Sequence, residues 1–205
     1  MRYLSKPTMN PHDLNENAIL PFNIHIQNIY DAIEKTHEFF FVLNNFLVQR
    51  NYPRLEEIML GNSYAGLLSE IVVKNLSDST ESLERNIKIG GYPDLILQGK
   101  YPNNSVLRGE GIEVKCSKQR GGWQGHNPEE GWILIFRYSI DTETDPITER
   151  APTEIFEVLS AKLDSEDWQF SGRSETSRRT ITASINKSGM SKLRSNIIYS
   201  KGIAH

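Results

Sequence analysis

Two short acidic segments carry the residues in this chain best suited to chemistry: Gly91-Tyr92-Pro93-Asp94-Leu95-Ile96-Leu97 and Gly111-Ile112-Glu113-Val114-Lys115. Each sets a carboxylate at the end or edge of an apolar run. Residues i and i+2 of a strand share a face, so Glu113 and Lys115 are predicted to project together while Val114 turns into the core. A neighbouring strand starting at Asp94 would add a second carboxylate. Two carboxylates and one ammonium at one point suit a Mg²⁺ site with a positive partner for phosphate. Mg²⁺ takes oxygen ligands and keeps several waters, so Asp94, Glu113 and the Val114 carbonyl would suffice as protein ligands. Lys115 would hold an attacking water or stabilise charge on phosphate. The metal would activate that water, which would attack phosphorus in line and expel the 3′ oxygen.

The elements that must position these groups follow from periodicity. Residues 1–22 are polar, with Pro7, Pro11 and Pro21, and read as an irregular lead-in. From Asn23 to Arg50, Ile26, Ile29, Tyr30, Ile33, Phe40, Leu43 and Leu47 recur at helical spacing, and Pro53 stops the helix. A second helix is predicted from Leu55 to Leu76, followed by a polar loop from Ser77 to Ser82. Short strands are expected at Asn86–Ile89, Asp94–Gln98, Gly111–Ser117 and Trp132–Ser139, with Tyr101–Leu107 as a hairpin turn. Glu154–Leu163 fits strand or helix, and its β-prone Phe156 and Val158 favour strand. Thr180–Ile185 reads as a strand and Met190–Asn196 as a short helix.

The fold class expected is α/β (α+β), a central mixed β-sheet flanked by helices. A chain of 205 residues fits one domain: a mainly helical part over 1–76, the sheet over 77–140 and a C-terminal strand–helix elaboration over 141–205. Hydrophobic content of 38% and charge of 24% exclude global disorder. The single cysteine, Cys116, excludes an internal disulfide, and no run approaches the roughly 20 apolar residues of a membrane span. The expectation is a cytoplasmic protein with no membrane partner.

The formal net charge of −3 hides an asymmetry. Between Asp141 and Asp167 there are nine acidic and two basic residues; between Ser171 and His205 there are seven basic and one acidic. The basic end would contact a polyanion, or neutralise the acidic segment beside it.

Pro93-Asp94 followed by Glu113-Val114-Lys115 resembles the signature of the PD-(D/E)XK nuclease superfamily, which includes many type II restriction endonucleases. The gap of 19 positions (113 − 94) is compatible with that family's loose spacing. The resemblance covers roughly residues 60–140. It implies a restriction-endonuclease-like core with the motif on a β-hairpin, Asp94 and Glu113 as metal ligands, Lys115 as the residue serving the attacking water, and a glutamate from a preceding helix, a place Glu70 matches. The implied activity is Mg²⁺-dependent hydrolysis of double-stranded DNA, by a type II restriction enzyme acting as a homodimer or by a repair or structure-selective nuclease of the same fold. A non-catalytic DNA-binding module is the more distant alternative.

The segment after Lys115 is rich in glycine and polar groups. Lys118 and Arg120 would neutralise phosphates. Gln119, Gln124 and Asn127 have the chemistry to read adenine, and Arg120 guanine. Trp123 would stack on a base, wedge into the duplex or cover the core. His126 would assist with a proton or a second metal, or simply bond to the loop backbone. Arg173, Arg178 and Arg179, set among hydroxyls, suit phosphate contacts. An exposed Phe39 and Phe41 would make the first helix a dimer face.

Overall fold

The computed structural model describes residues 5–125, 128–146, 149–170 and 183–203. Helix α1 (Ile26–Val48) buries Ile29, Ala32, Ile33, Thr36, His37, Phe40 and Asn44, a stripe at helical spacing. It starts at His25, whose N–H donates to the Asn28 side chain at 2.7 Å.

The helix expected over Leu55–Leu76 is two helices, α2 (Leu55–Ile58) and α3 (Gly61–Ser79), broken where Met59 and Leu60 are extended. The fully buried Arg54 lies just before the first of them. Its guanidinium pairs with Glu56 at 3.3 Å and Glu57 at 3.2 Å, and donates to the carbonyls of Ala151 and Asp141. Glu56 therefore turns inward, and Ile58 is left exposed. Replacing Arg54 with Met strands a buried carboxylate and frees two carbonyls. The expected loss is about 3–5 kcal/mol, read as a lower denaturant midpoint. Helix α3 then runs through the stretch expected as loop to Ser79, because α1 supplies partners for its tail: Lys35 donates to the Ser79 hydroxyl and Asn75 to the Thr36 hydroxyl, each at 3.0 Å.

The first strand, β1, is Leu83–Arg85 rather than Asn86–Ile89. Leu83 is the residue that reaches the core; Ile89 is 96% exposed. Asn86 takes the chain out of the sheet: its amide donates to the carbonyls of Pro93 and Val106, each at 3.0 Å, and its oxygen accepts from the N–H groups of Lys88 and Val106. Strands β2 (Leu95–Leu97) and β3 (Gly111–Ser117) form the expected antiparallel pair. Between them Pro102–Asn104 forms a short 3₁₀ turn.

After β4 (Gln124–Gly125) come β5 (Gly131–Ser139) and β6 (Glu154–Leu163), the latter a strand as favoured from its composition. The chain continues through β7 (Trp168–Phe170), β8 (Ala183–Ile185), α4 (Lys187–Arg194) and β9 (Ile197–Ser200). The main sheet has the order β1-β2-β3-β5-β6-β9, with β3 and β5 parallel and every other pair antiparallel. The architecture is thus mixed α/β, a central six-stranded sheet flanked by helices. A second sheet, β4-β8-β7, is antiparallel throughout.

Strand alternation sorts the apolar side chains into two cores. Ile112, Val114, Leu134 and Phe136 face α1 and α3. Ile133, Ile135, Leu159, Ala161 and Leu163 pack with Trp123, Trp168, Ile185 and Leu193. Strand β5 is covered on both faces, which accounts for its nearly unbroken apolar sequence. The outer side of β9 is met by the N-terminal arm: Leu14 bridges to Tyr199, and the Asn15 side chain donates to the Ile197 carbonyl at 2.9 Å. That cover leaves less of the sheet edge open to pairing. Among the described residues no helix is long and apolar enough to cross a membrane.

Candidate metal centre and its cleft

The β2–β3 ladder sets Leu95 opposite Ile112 and Ile96 opposite Gly111. One more step in that register places Asp94 across from Glu113. Val114 lies beyond the two paired positions of that ladder, and its N–H donates to the Asp94 carboxylate at 2.9 Å. This one bond fixes Asp94 at the middle of β3. The Ser69 hydroxyl of α3 lies 3.4 Å from the Val114 carbonyl, on the same stretch of strand.

Glu113 and Lys115 share a face, as their spacing predicts. The Lys115 Nζ is 3.0 Å from Glu113 Oε1. It is also 2.8 Å from Glu129 Oε2, a partner the sequence reading missed. All three side chains are mostly buried. Glu129 lies outside the motif, on the approach to β5. The only sequence signal was an acidic pair, Glu129-Glu130, just before an apolar strand.

Electrostatics distinguish the groups. Burial, reinforced by the Glu113 charge, pushes the Asp94 carboxyl up to about 7, against the opposing pull of the Val114 N–H and Lys115. Burial pulls the Lys115 ammonium down, but Glu113 and Glu129 together outweigh it, and the net direction is upward. Burial pushes the Cys116 thiol up to about 12, which removes it as a nucleophile at neutral pH. Burial also raises Tyr92, with Glu113 and Glu129 adding to the effect, and its hydroxyl donates to the Glu130 carbonyl at 2.9 Å.

Glu70 reaches the rim of this site. Its side chain is 61% exposed and paired with Arg85 of β1. Its charge contributes to the rise of Asp94 but is the smallest of the influences named for that group. Asp94 and Glu113 open into a cleft also lined by Gly91, Tyr92, Arg108, Gly109 and Glu129. Among the described residues no three His, Cys, Asp or Glu side chains form a complete ligand set. Two carboxylates and a strand carbonyl nevertheless match an ion that takes oxygen ligands and fills its shell with water or phosphate. The raised Asp94 is consistent with the fit: burial, and after it the Glu113 charge, penalise its ionised form, and a bound cation would offset both.

The loop after β3 exposes Lys118, Gln119 and Arg120, and β4 exposes Gln124. Arg137 donates to the Gln119 carbonyl at 3.0 Å and Arg194 to the Arg120 carbonyl at 2.7 Å, so two guanidinium groups hold the loop backbone. Trp123 corrects the expectation of a base-stacking ring: it is 3% exposed and packed in the second core, because the loop turns inward there to join β4 to β8. His126, Asn127, Arg173, Arg178 and Arg179 lie outside the described residues. Of the basic C-terminal residues that are described, Lys192 pairs with Asp164 and Asp167, Arg194 with Glu157, and Lys201 with Glu154. Those three neutralise the acidic segment beside them.

Comparison with known protein families and with curated proteins finds no match to this chain.

Proposed function

We propose that this protein is a Mg²⁺-dependent DNA endonuclease of the PD-(D/E)XK type, built on a restriction-endonuclease-like core. The observation that carries the reading is the convergence of Asp94, Glu113 and Lys115 at one end of the β2–β3 pair, with Asp94 and Glu113 lining an open cleft. Asp94, Glu113 and the Val114 carbonyl would hold the metal. Bound there, Mg²⁺ would lower the pKa of a water and neutralise phosphate oxygens.

The chain's own groups do the rest. Lys115, kept as an ammonium by its two carboxylates, donates hydrogen bonds toward the attacking water and the phosphate and stabilises charge as it develops. Water attacks phosphorus in line, and the 3′ oxygen leaves. Glu70, tied to Arg85, stands as an accessory carboxylate at the rim. Lys118 and Arg120 supply phosphate contacts, and Gln119 and Gln124 face outward for contact with duplex DNA. A cytoplasmic restriction enzyme is the most specific form of this reading. Dimerisation would use the exposed stripe Phe39, Val42 and Phe46 on α1, while Phe41 is half-buried.

The test is a gel. Purified protein is incubated with plasmid and phage DNA in Mg²⁺ and in EDTA. Discrete Mg²⁺-dependent fragments are expected from a site-specific enzyme. Cleavage confined to nicked or branched DNA would reassign it as a structure-selective nuclease. No cleavage of unmodified, modified or branched DNA would overturn the catalytic reading.

A further inference from the structure

Among the described residues, Glu129 is the one group paired with Lys115 that belongs neither to the motif nor to its strand. Its carboxylate is 2.8 Å from the ammonium and mostly buried. It lies in a seat made by Gly125: a Cβ at that position would come within 2.5 Å of Glu129 Oε1 and 2.6 Å of its Cδ. Gly125 is buried, belongs to β4 and pairs with Ala183 of the small sheet. A methyl group there would displace only the tip of a flexible side chain. The glycine therefore keeps open the place in which this carboxylate rests.

In the proposed reaction Glu113 would share its carboxylate between the metal and the lysine. A second acceptor on the other side of the ammonium would hold Lys115 in register whether or not the metal is bound. We propose that Glu129 is a positioning residue for Lys115, seated by Gly125, and that it ties the small sheet to the active centre. The inference rests on the nuclease reading for its effect on rate, but the contact itself is testable without activity.

The experiment compares Glu129→Gln and Gly125→Ala with the wild-type protein. Each is expected to lower kcat for duplex cleavage at least 10-fold with KM little changed, and Gly125→Ala does so without altering any polar side chain. In metal-free protein, Lys115→Met and Glu129→Gln are expected to give non-additive shifts in melting temperature when combined. Calorimetric titration with Mg²⁺ in the absence of DNA should give wild-type affinity for Glu129→Gln. Additive melting shifts, or an unchanged kcat in both variants, would overturn the proposal. A Mg²⁺ affinity reduced 10-fold would overturn it in favour of a ligand role. Non-additive melting in a wild-type protein that cleaves no DNA would retain the Lys115–Glu129 contact and remove the nuclease reading.

Discussion

Lys115→Ala is expected to lower Mg²⁺-dependent cleavage by on the order of 10²- to 10³-fold, the usual effect of deleting one preorganised electrostatic stabiliser. The ammonium is mostly buried between two carboxylates and lies on the same strand face as Glu113. No other described cation contacts both of those carboxylates, so none is placed to substitute. Asp94→Ala removes a proposed metal ligand and the acceptor for the Val114 N–H together, and its expected loss is complete. The circular dichroism spectrum separates lost chemistry from lost fold. A folded Lys115→Ala protein that cuts DNA at the wild-type rate would sink the assignment of the site.

The second large effect concerns stability and carries the opposite sign. Asp94 is raised from an ordinary 3.8 to about 7 in the folded protein. The native state therefore holds a proton that the unfolded chain has already released, and stability falls as pH rises from about 4 to about 7. Above that window both states are ionised and the full penalty persists. Asp94→Asn keeps the shape and an oxygen for the Val114 N–H but removes the charge. It should be more stable than wild type by on the order of 2–4 kcal/mol at pH 8, with the gap closing toward pH 4. For a chain of this size that is roughly 5–10 °C in melting temperature. Mg²⁺ should raise the wild-type melting temperature and leave that of the variant nearly unmoved. Equal melting temperatures at pH 8 would show that the buried charge of Asp94 is not a source of instability. A more stable but inactive Asp94→Asn is the pattern of a site that carries strain for function.

The parts of this structure that were legible in the sequence are those set by local alternation. Glu113 and Lys115 share a face because they stand two positions apart with only Val114 between them, and β3 and β6 keep the limits read from composition. What was not legible depends on distant partners. Ile87 and Ile89 alternate as a strand would, yet Leu83 is what the core receives, and Asn86 diverts the chain by bonding to segments 7 and 20 residues away. The inward turn of Glu56 at the start of α2 goes with a buried arginine whose carbonyl partners lie 87 and 97 residues later. Trp123 sits among glycines and polar groups that fit a DNA-facing loop, but the strand pairing of Gln124 with Ser184 turns it inward. Glu129 carries no periodic signal at all. Strands β4, β7 and β9 span only two to four residues each, too few for a pattern to register.

The two acids of the site meet through a ladder only two rungs long, Leu95 with Ile112 and Ile96 with Gly111. The 13 residues from Gln98 to Glu110 (110 − 98 + 1) lie outside those rungs. The interval between Asp94 and Glu113 is therefore a property of an excursion, and its length is decoupled from the meeting point. Insertions or deletions at its exposed tip, around Pro102 and Asn103, would change the count between the acids while leaving them face to face, since Leu107 and Gly109 stay bonded to Tyr92. A single residue added inside β3 would instead swap the lysine for a core side chain. Counterparts of this site in other chains are thus better recognised by which residues lie opposite one another than by how many separate them.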